Sequence, residues 1–173
     1  MTKKFGVLGI GNAIVDILIT VTDDFLIQNA IEKGVMQLVD LQKAKKLYSR
    51  LGTHPEVSGG SGANTIYGLA SLGVSTCYIG KVKDDILGNK FRSDLLKMNI
   101  HYPTQFHESS TLAETGRCVV FITPDGERSM NTYLGVTENL HEKDINTECV
   151  QESEWIYLEG YRFDGPDSER AFE

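Results

Sequence analysis

The chain has 173 residues, enough for one domain with a buried core. Its 40% hydrophobic and 24% charged content is that of a globular protein, and no apolar run approaches the roughly 20 residues of a membrane-spanning helix. A net charge of −7 argues against a nucleic-acid partner, which needs a basic face.

Lys3-Lys4 ahead of apolar residues imitates a signal peptide, but Asn12 and Asp16 interrupt the run and no small-residue cleavage site follows. The residues Phe5 to Ile10 read as a buried strand. In 14–21, Val15, Ile17, Ile19 and Val21 alternate with Asp16, Leu18 and Thr20, so a second strand is predicted. The stretch 35–39 is a third. Asp40 then caps a helix that carries Leu41, Ala44, Leu47, Tyr48 and Leu51 on one face and ends at Gly52.

Next comes the run Gly59-Gly60-Ser61-Gly62-Ala63-Asn64, followed by a helix over 65–72 that stops at Gly73. Two adjacent glycines let the backbone turn sharply and approach a ligand. Asn64 adds an amide with donors and an acceptor. Such a loop suits a small hydroxyl-bearing ligand, or an anion at the helix N-terminus.

A strand is predicted over 75–79. Leu87, Phe91 and Leu95 mark a helix that stops near Asn99, and Asp84-Asp85 reads as its cap rather than as a metal pair. Strands over 117–123 and 128–134 flank a hairpin turn, Pro124-Asp125-Gly126-Glu127. The last strand is 155–158. Asp164-Gly165-Pro166-Asp167 reads as a turn and a helix start, and the chain reads as cut within that helix.

Strands alternating with helices imply parallel βαβ units, while the strands near 14–21, 35–39 and 117–134 imply a separate small sheet. Cys77, Cys118 and Cys149 form no C-x-x-C pair and read as free buried thiols of a reducing compartment; the protein is read as cytoplasmic. The four histidines lack metal-ligand spacing, so no metal ligand is assigned. Gly9-Ile10-Gly11-Asn12-Ala13-Ile14 lacks the third glycine of a dinucleotide fingerprint and runs into a strand instead of a helix. Asp16 is either a solvated strand-face residue or a carboxylate that accepts from paired sugar hydroxyls.

Several motifs together resemble the ribokinase-like (PfkB-type) carbohydrate kinases. The glycine–asparagine run, Gly73 and Lys81-Val82-Lys83-Asp84-Asp85-Ile86-Leu87-Gly88 are similar to the first signature of that family. The stretch from Gly9 to Asp16 looks like its opening strand. Thr123-Pro124-Asp125-Gly126-Glu127-Arg128-Ser129-Met130-Asn131-Thr132-Tyr133-Leu134-Gly135 resembles the adenosine kinase-like branch, and Tyr157-Leu158-Glu159-Gly160-Tyr161 its next core strand. Lys83 and Ile66 depart from the family pattern, where smaller residues are usual.

The resemblance implies an α/β fold: a Rossmann-like three-layer α/β/α core with a small β-sheet lid. Residues 1–173 would be the N-terminal portion of one kinase domain. The family's later Asp-Thr-x-Gly-Ala-Gly-Asp run, which supplies the base and the anion hole, has no counterpart in this sequence. The implied reaction is ATP-dependent, Mg²⁺-assisted phosphoryl transfer to a hydroxyl of a sugar or nucleoside. By the same resemblance Asp16, Asn64 and Asn12 would contact the substrate, and Gly59 and Gly60 would let it approach the backbone. Arg128 would stabilise phosphoryl charge, with a surface hairpin charge as the alternative. Glu159 stands between pocket and core. A second expectation is an inactive sugar-binding module, or one that forms a homodimer through the lid.

Overall fold

The computed structural model describes residues 3–52, 54–108, 112–162 and 166–172. Its elements in chain order are β1 (Phe5–Ile10), β2 (Ile14–Thr20), α1 (Asp23–Gln28), β3 (Met36–Leu38), α2 (Leu41–Ser49), β4 (Glu56–Gly59), α3 (Ser61–Ser71), β5 (Thr76–Ile79), α4 (Ile86–Lys97), β6 (Gly116–Ile122), β7 (Arg128–Tyr133), α5 (Thr147–Gln151), β8 (Ser153–Leu158) and α6 (Pro166–Phe172). The turn expected at Asp164-Gly165 lies outside the described residues; the helix expected after it is α6. Among the described residues, no helix is long and apolar enough to cross a membrane.

Two sheets form. The first is parallel, in the order β5-β1-β8. On one face, Ala63 and Ile66 of α3 and Leu87, Phe91 and Leu95 of α4 close over Tyr78. Phe91 is sandwiched between Tyr78 and Tyr102, with ring centroids 6.1 and 5.8 Å away. Such aromatic pairs add about 0.5–1.5 kcal/mol each beyond the area they bury. On the other face Leu8, Ile10, Cys77 and Ile79 pack with Leu140 and Cys149, and with Phe172 of α6. These are the three layers of an α/β/α core. The three thiols are unpaired and buried.

The second sheet runs β3-β7-β6-β2-β4. β6 and β7 are the expected hairpin, with Ile122 opposite Arg128 and Thr123 N–H donating to the Glu127 carbonyl at 3.0 Å. The period-two reading of 14–21 holds. Ile17 joins Val119 and Phe121 under Leu26 of α1 and Leu47 of α2, with Ile19 and Val21 beside them. Ile14, Leu18, Cys118, Val120, Ile122 and Met130 line the opposite face. At its start β2 belongs to the layered core as well, because Ala13 and Val15 pack with α3 and α4. That shared stretch ties the lid to the core.

Two elements and one helix start depart from the sequence reading. α1 was not anticipated; Thr22 caps it by accepting from Phe25 N–H. β4 was not anticipated either and owes its form to antiparallel pairing with β2. α3 begins at Ser61, four residues before the expected start. At the far edge of the parallel sheet, β8 pairs with β1 and presents Trp155, which is 74% exposed, beside partly exposed Ile156, Tyr157 and Leu158.

Asp85 is the N-cap of α4, as read. One oxygen accepts from Gly88 N–H and the other from Thr115 N–H, each at 2.8 Å. Asp85→Ala is therefore expected to cost about 1–2 kcal/mol for the cap alone, with a further loss at the stranded Thr115 N–H. Asp84 is exposed and bonds Asn89, so Asp84→Ala should stay within about 0.5 kcal/mol. Urea unfolding of both variants measures the difference.

Candidate functional site

β2 carries Asp16 onto the face of the lid that α1 and α2 leave uncovered, opposite Val57 of β4 and Cys118 of β6. Beside it the chain passes through Gly59 and Gly60 into α3. A Cβ on Gly59 would stand 2.2 Å from the Asp16 carboxyl carbon. Only glycine leaves room for that carboxylate. Gly60 has φ +92°, and a Cβ there would lie 2.4 Å from the Asn12 carbonyl oxygen. Both the conformation and the space require glycine.

Asn64 follows in the first turns of α3, exposed, with its side-chain amide close enough to Asp16 to favour the ionised carboxylate. Arg128 opens β7, exposed, and acts on Asp16 through its charge. Burial dominates over both: the Asp16 carboxyl is pushed up to about 6, while the Arg128 charge and the Asn64 amide hold it back. Cys118 shares this environment. Burial raises its thiol to about 11, the Thr132 hydroxyl lies 3.2 Å from its sulfur, and Asp16 adds a further upward push. The sequence reading treated Cys118 only as a buried thiol. Its place beside Asp16 follows from the β2–β6 register, for which no local signal exists.

Asn12 and Glu159 sit behind Gly60, at the C-terminal ends of β1 and β8, and are 6% and 4% exposed. They are bonded to one another. Glu159 accepts from the Asn12 side-chain amide at 3.1 Å, from Asn12 N–H at 3.1 Å and from Gly62 N–H at 3.0 Å. The Tyr78 hydroxyl donates to the Asn12 carbonyl at 2.8 Å, and Thr137 Oγ1 accepts from Ala13 N–H at 2.9 Å. The residues named from sequence thus form two groups. Asp16, Gly59, Gly60, Asn64 and Arg128 gather on the lid side, and Asn12 and Glu159 form a buried pair behind the glycine turn. The N-terminus of α3 does not fit a phosphate, because the Glu159 carboxylate already accepts there. A hydroxyl-bearing ligand on the lid side remains compatible with the geometry.

A family model described as pfkB family carbohydrate kinase matches residues 35–173. The chain superposes on a probable sugar kinase from Rhizobium etli CFN 42 with a TM-score of 0.90 and 43% identity, over 98% of this chain and 51% of that one. It superposes on adenosine kinase from Sinorhizobium meliloti with a TM-score of 0.88 and 45% identity, over 97% and 51%. The fructokinase of Escherichia coli is 31% identical over 104 residues, which are 58% of this chain and 32% of that protein. The chain spans about half the length of the solved structures it matches.

The raised Asp16 carboxyl has a consequence for stability. An unfolded aspartate ionises near 3.9, so between about pH 4 and 6 the folded chain holds a proton that the unfolded chain has released. Stability from this group is therefore greatest below pH 4 and declines as the pH rises through about 6. Asp16→Asn removes the ionisation. At pH 7 it should be more stable than the wild type by something on the order of 1–3 kcal/mol. The gain should vanish at pH 4, as read by thermal unfolding at both values.

Proposed function

The chain belongs to the pfkB family of carbohydrate kinases, and from that premise we propose that its residues build the acceptor side of a phosphoryl transfer to a sugar or nucleoside. The observation that carries this reading is the pairing of a partly buried carboxylate with an exposed amide across a turn stripped of side chains. Asp16 meets Asn64 beside Gly59 and Gly60. An ionised carboxylate accepts from two adjacent hydroxyls, and the amide both donates and accepts. The glycines let the turn lie directly against the Asp16 carboxylate, so that the carboxylate and the start of α3 face the acceptor together. Arg128 stands at the rim of the same face, where its charge suits a transferring phosphoryl group. Asn12 and Glu159 support the glycine turn from behind. A ribosyl acceptor is favoured by the 45% identity to an adenosine kinase.

The family's reaction draws a phosphoryl group from ATP with Mg²⁺, which supplies charge neutralisation in the transition state. The glycine-rich α3 N-terminus is filled by Glu159, so no phosphate contact is assigned there. What these residues do is bind and orient the hydroxyl-bearing acceptor. We place the protein in the cytoplasm, where its three buried thiols stay reduced, and assign residues 1–173 to the N-terminal portion of a ribokinase-like domain.

A second reading is a binding module that assembles through its lid. It draws on β3, one of the lid's two edge strands, whose Met36 and Leu38 are 48% and 63% exposed. Incubation with ATP, Mg²⁺ and adenosine, ribose or fructose separates the two. A phosphate ester seen by mass spectrometry supports transfer by this chain. Binding without an ester, together with a dimer in light scattering, supports the module.

Asp16→Ala should weaken acceptor binding by about 1.5–3 kcal/mol for each charge-assisted hydrogen bond lost. Wild-type affinity should rise with pH through about 6, as the carboxylate ionises. Calorimetry with adenosine and ribose reads both effects; an affinity indifferent to the substitution removes Asp16 from the site.

A further inference from the structure

α3 begins without help from its own neighbours. Its N-cap is Gly60, which has no side chain to bond the free N–H groups of the first turn. The acceptor comes instead from Glu159, 97 residues away, whose Oε2 receives Gly62 N–H at 3.0 Å and Asn12 N–H at 3.1 Å. Its Oε1 receives the Asn12 side-chain amide at 3.1 Å. One buried carboxylate therefore holds the end of β1 and the start of α3 together. The space around it is fitted to that purpose. A Cβ on Gly11 would come within 2.3 Å of Oε2, and one on Gly62 within 2.8 Å. The Asn12 carbonyl, on the far side of the same residue, is the atom against which Gly60 is pressed.

We infer that Glu159 is a positioning residue. It acts as a remote cap that fixes Asn12 and the Gly59–Gly62 turn, and through them sets the spacing of Asp16 and Asn64. It does this from behind the turn, with both carboxylate oxygens engaged, and not by touching the ligand. The inference rests on the proposed acceptor site for its functional consequence, but its structural content stands alone. Carboxylate acceptors of backbone N–H groups at a helix start are charge-assisted and favoured by the helix dipole.

The test uses the full chain, labelled with ¹⁵N and ¹³C. In the wild type a scalar coupling across the hydrogen bond is expected between Gly62 N and the Glu159 carboxyl carbon. In Glu159→Gln, which presents an amide to three donors, the Gly62 and Asn12 amide protons should move upfield and exchange about tenfold faster. The amides of Leu8 and Phe91 should keep their protection. Adenosine affinity, read by calorimetry, should fall about tenfold. Gly62→Ala is the second variant. Alanine favours a helix over glycine, so the same losses there come from crowding by its Cβ, which meets the Glu159 carboxylate first, at 2.8 Å, and the Tyr78 hydroxyl next, at 3.3 Å. Absence of the wild-type coupling overturns the inference, as do unmoved Gly62 and Asn12 amides in either variant. A wild type that binds no adenosine, ribose or fructose defeats the proposed acceptor site; the coupling and exchange data still decide the role of Glu159.

Discussion

Gly59 lies against the carboxylate of Asp16 and Gly60 against the carbonyl oxygen of Asn12, each so close that no side chain fits. The rest of the architecture is arranged about those contacts. Because β4 comes so close, it pairs with β2, placing Gly59 opposite Ile14. Because Gly60 can take a positive φ, the chain leaves the lid and enters α3 within a single residue. α3 then lays Ala63 and Ile66 over the parallel sheet. A side chain at either glycine would separate a sheet from a helix, and the lid from the core.

The same crowding accounts for the cost carried by Asp16. A carboxylate partly removed from water is destabilising in its charged form, and Arg128 and Asn64 offset only part of that. A chain selected for stability alone would place an apolar residue there, as it does at Ile14 and Leu18 on the same face. Retaining the charge makes sense where the missing hydrogen bonds are to be supplied by something that binds.

Much of this was legible in the residues themselves. Asp40 and Asp85 cap α2 and α4 as read, the hairpin turn lies where Pro124 to Glu127 put it, and alternation in 14–21 separates the faces of β2. What escaped was non-local. Glu56-Val57-Ser58 offers one apolar residue and becomes a strand only because β2 lies alongside. Ser61 and Gly62 are poor helix formers, and a carboxylate from the end of the chain's last strand sets the helix start four residues early. α1 has its signal, with Thr22 ahead of Asp23 and Asp24, but spans only six residues. For the site, Asp16, Asn64 and the two glycines were named from their types. The pairing of Asn12 with Glu159 was not, because no local pattern ties residues 147 positions apart.

Trp155 is the chain's one tryptophan, and it stands in the open on β8. Its intrinsic fluorescence is therefore that of a water-facing indole, red-shifted and open to collisional quenchers. The emission reports on a single place, the outer edge of the parallel sheet. Any polypeptide that laid a strand or helix against β8 would shift it toward the blue. Ligands held near Asp16, on the other sheet, would pass without changing its colour.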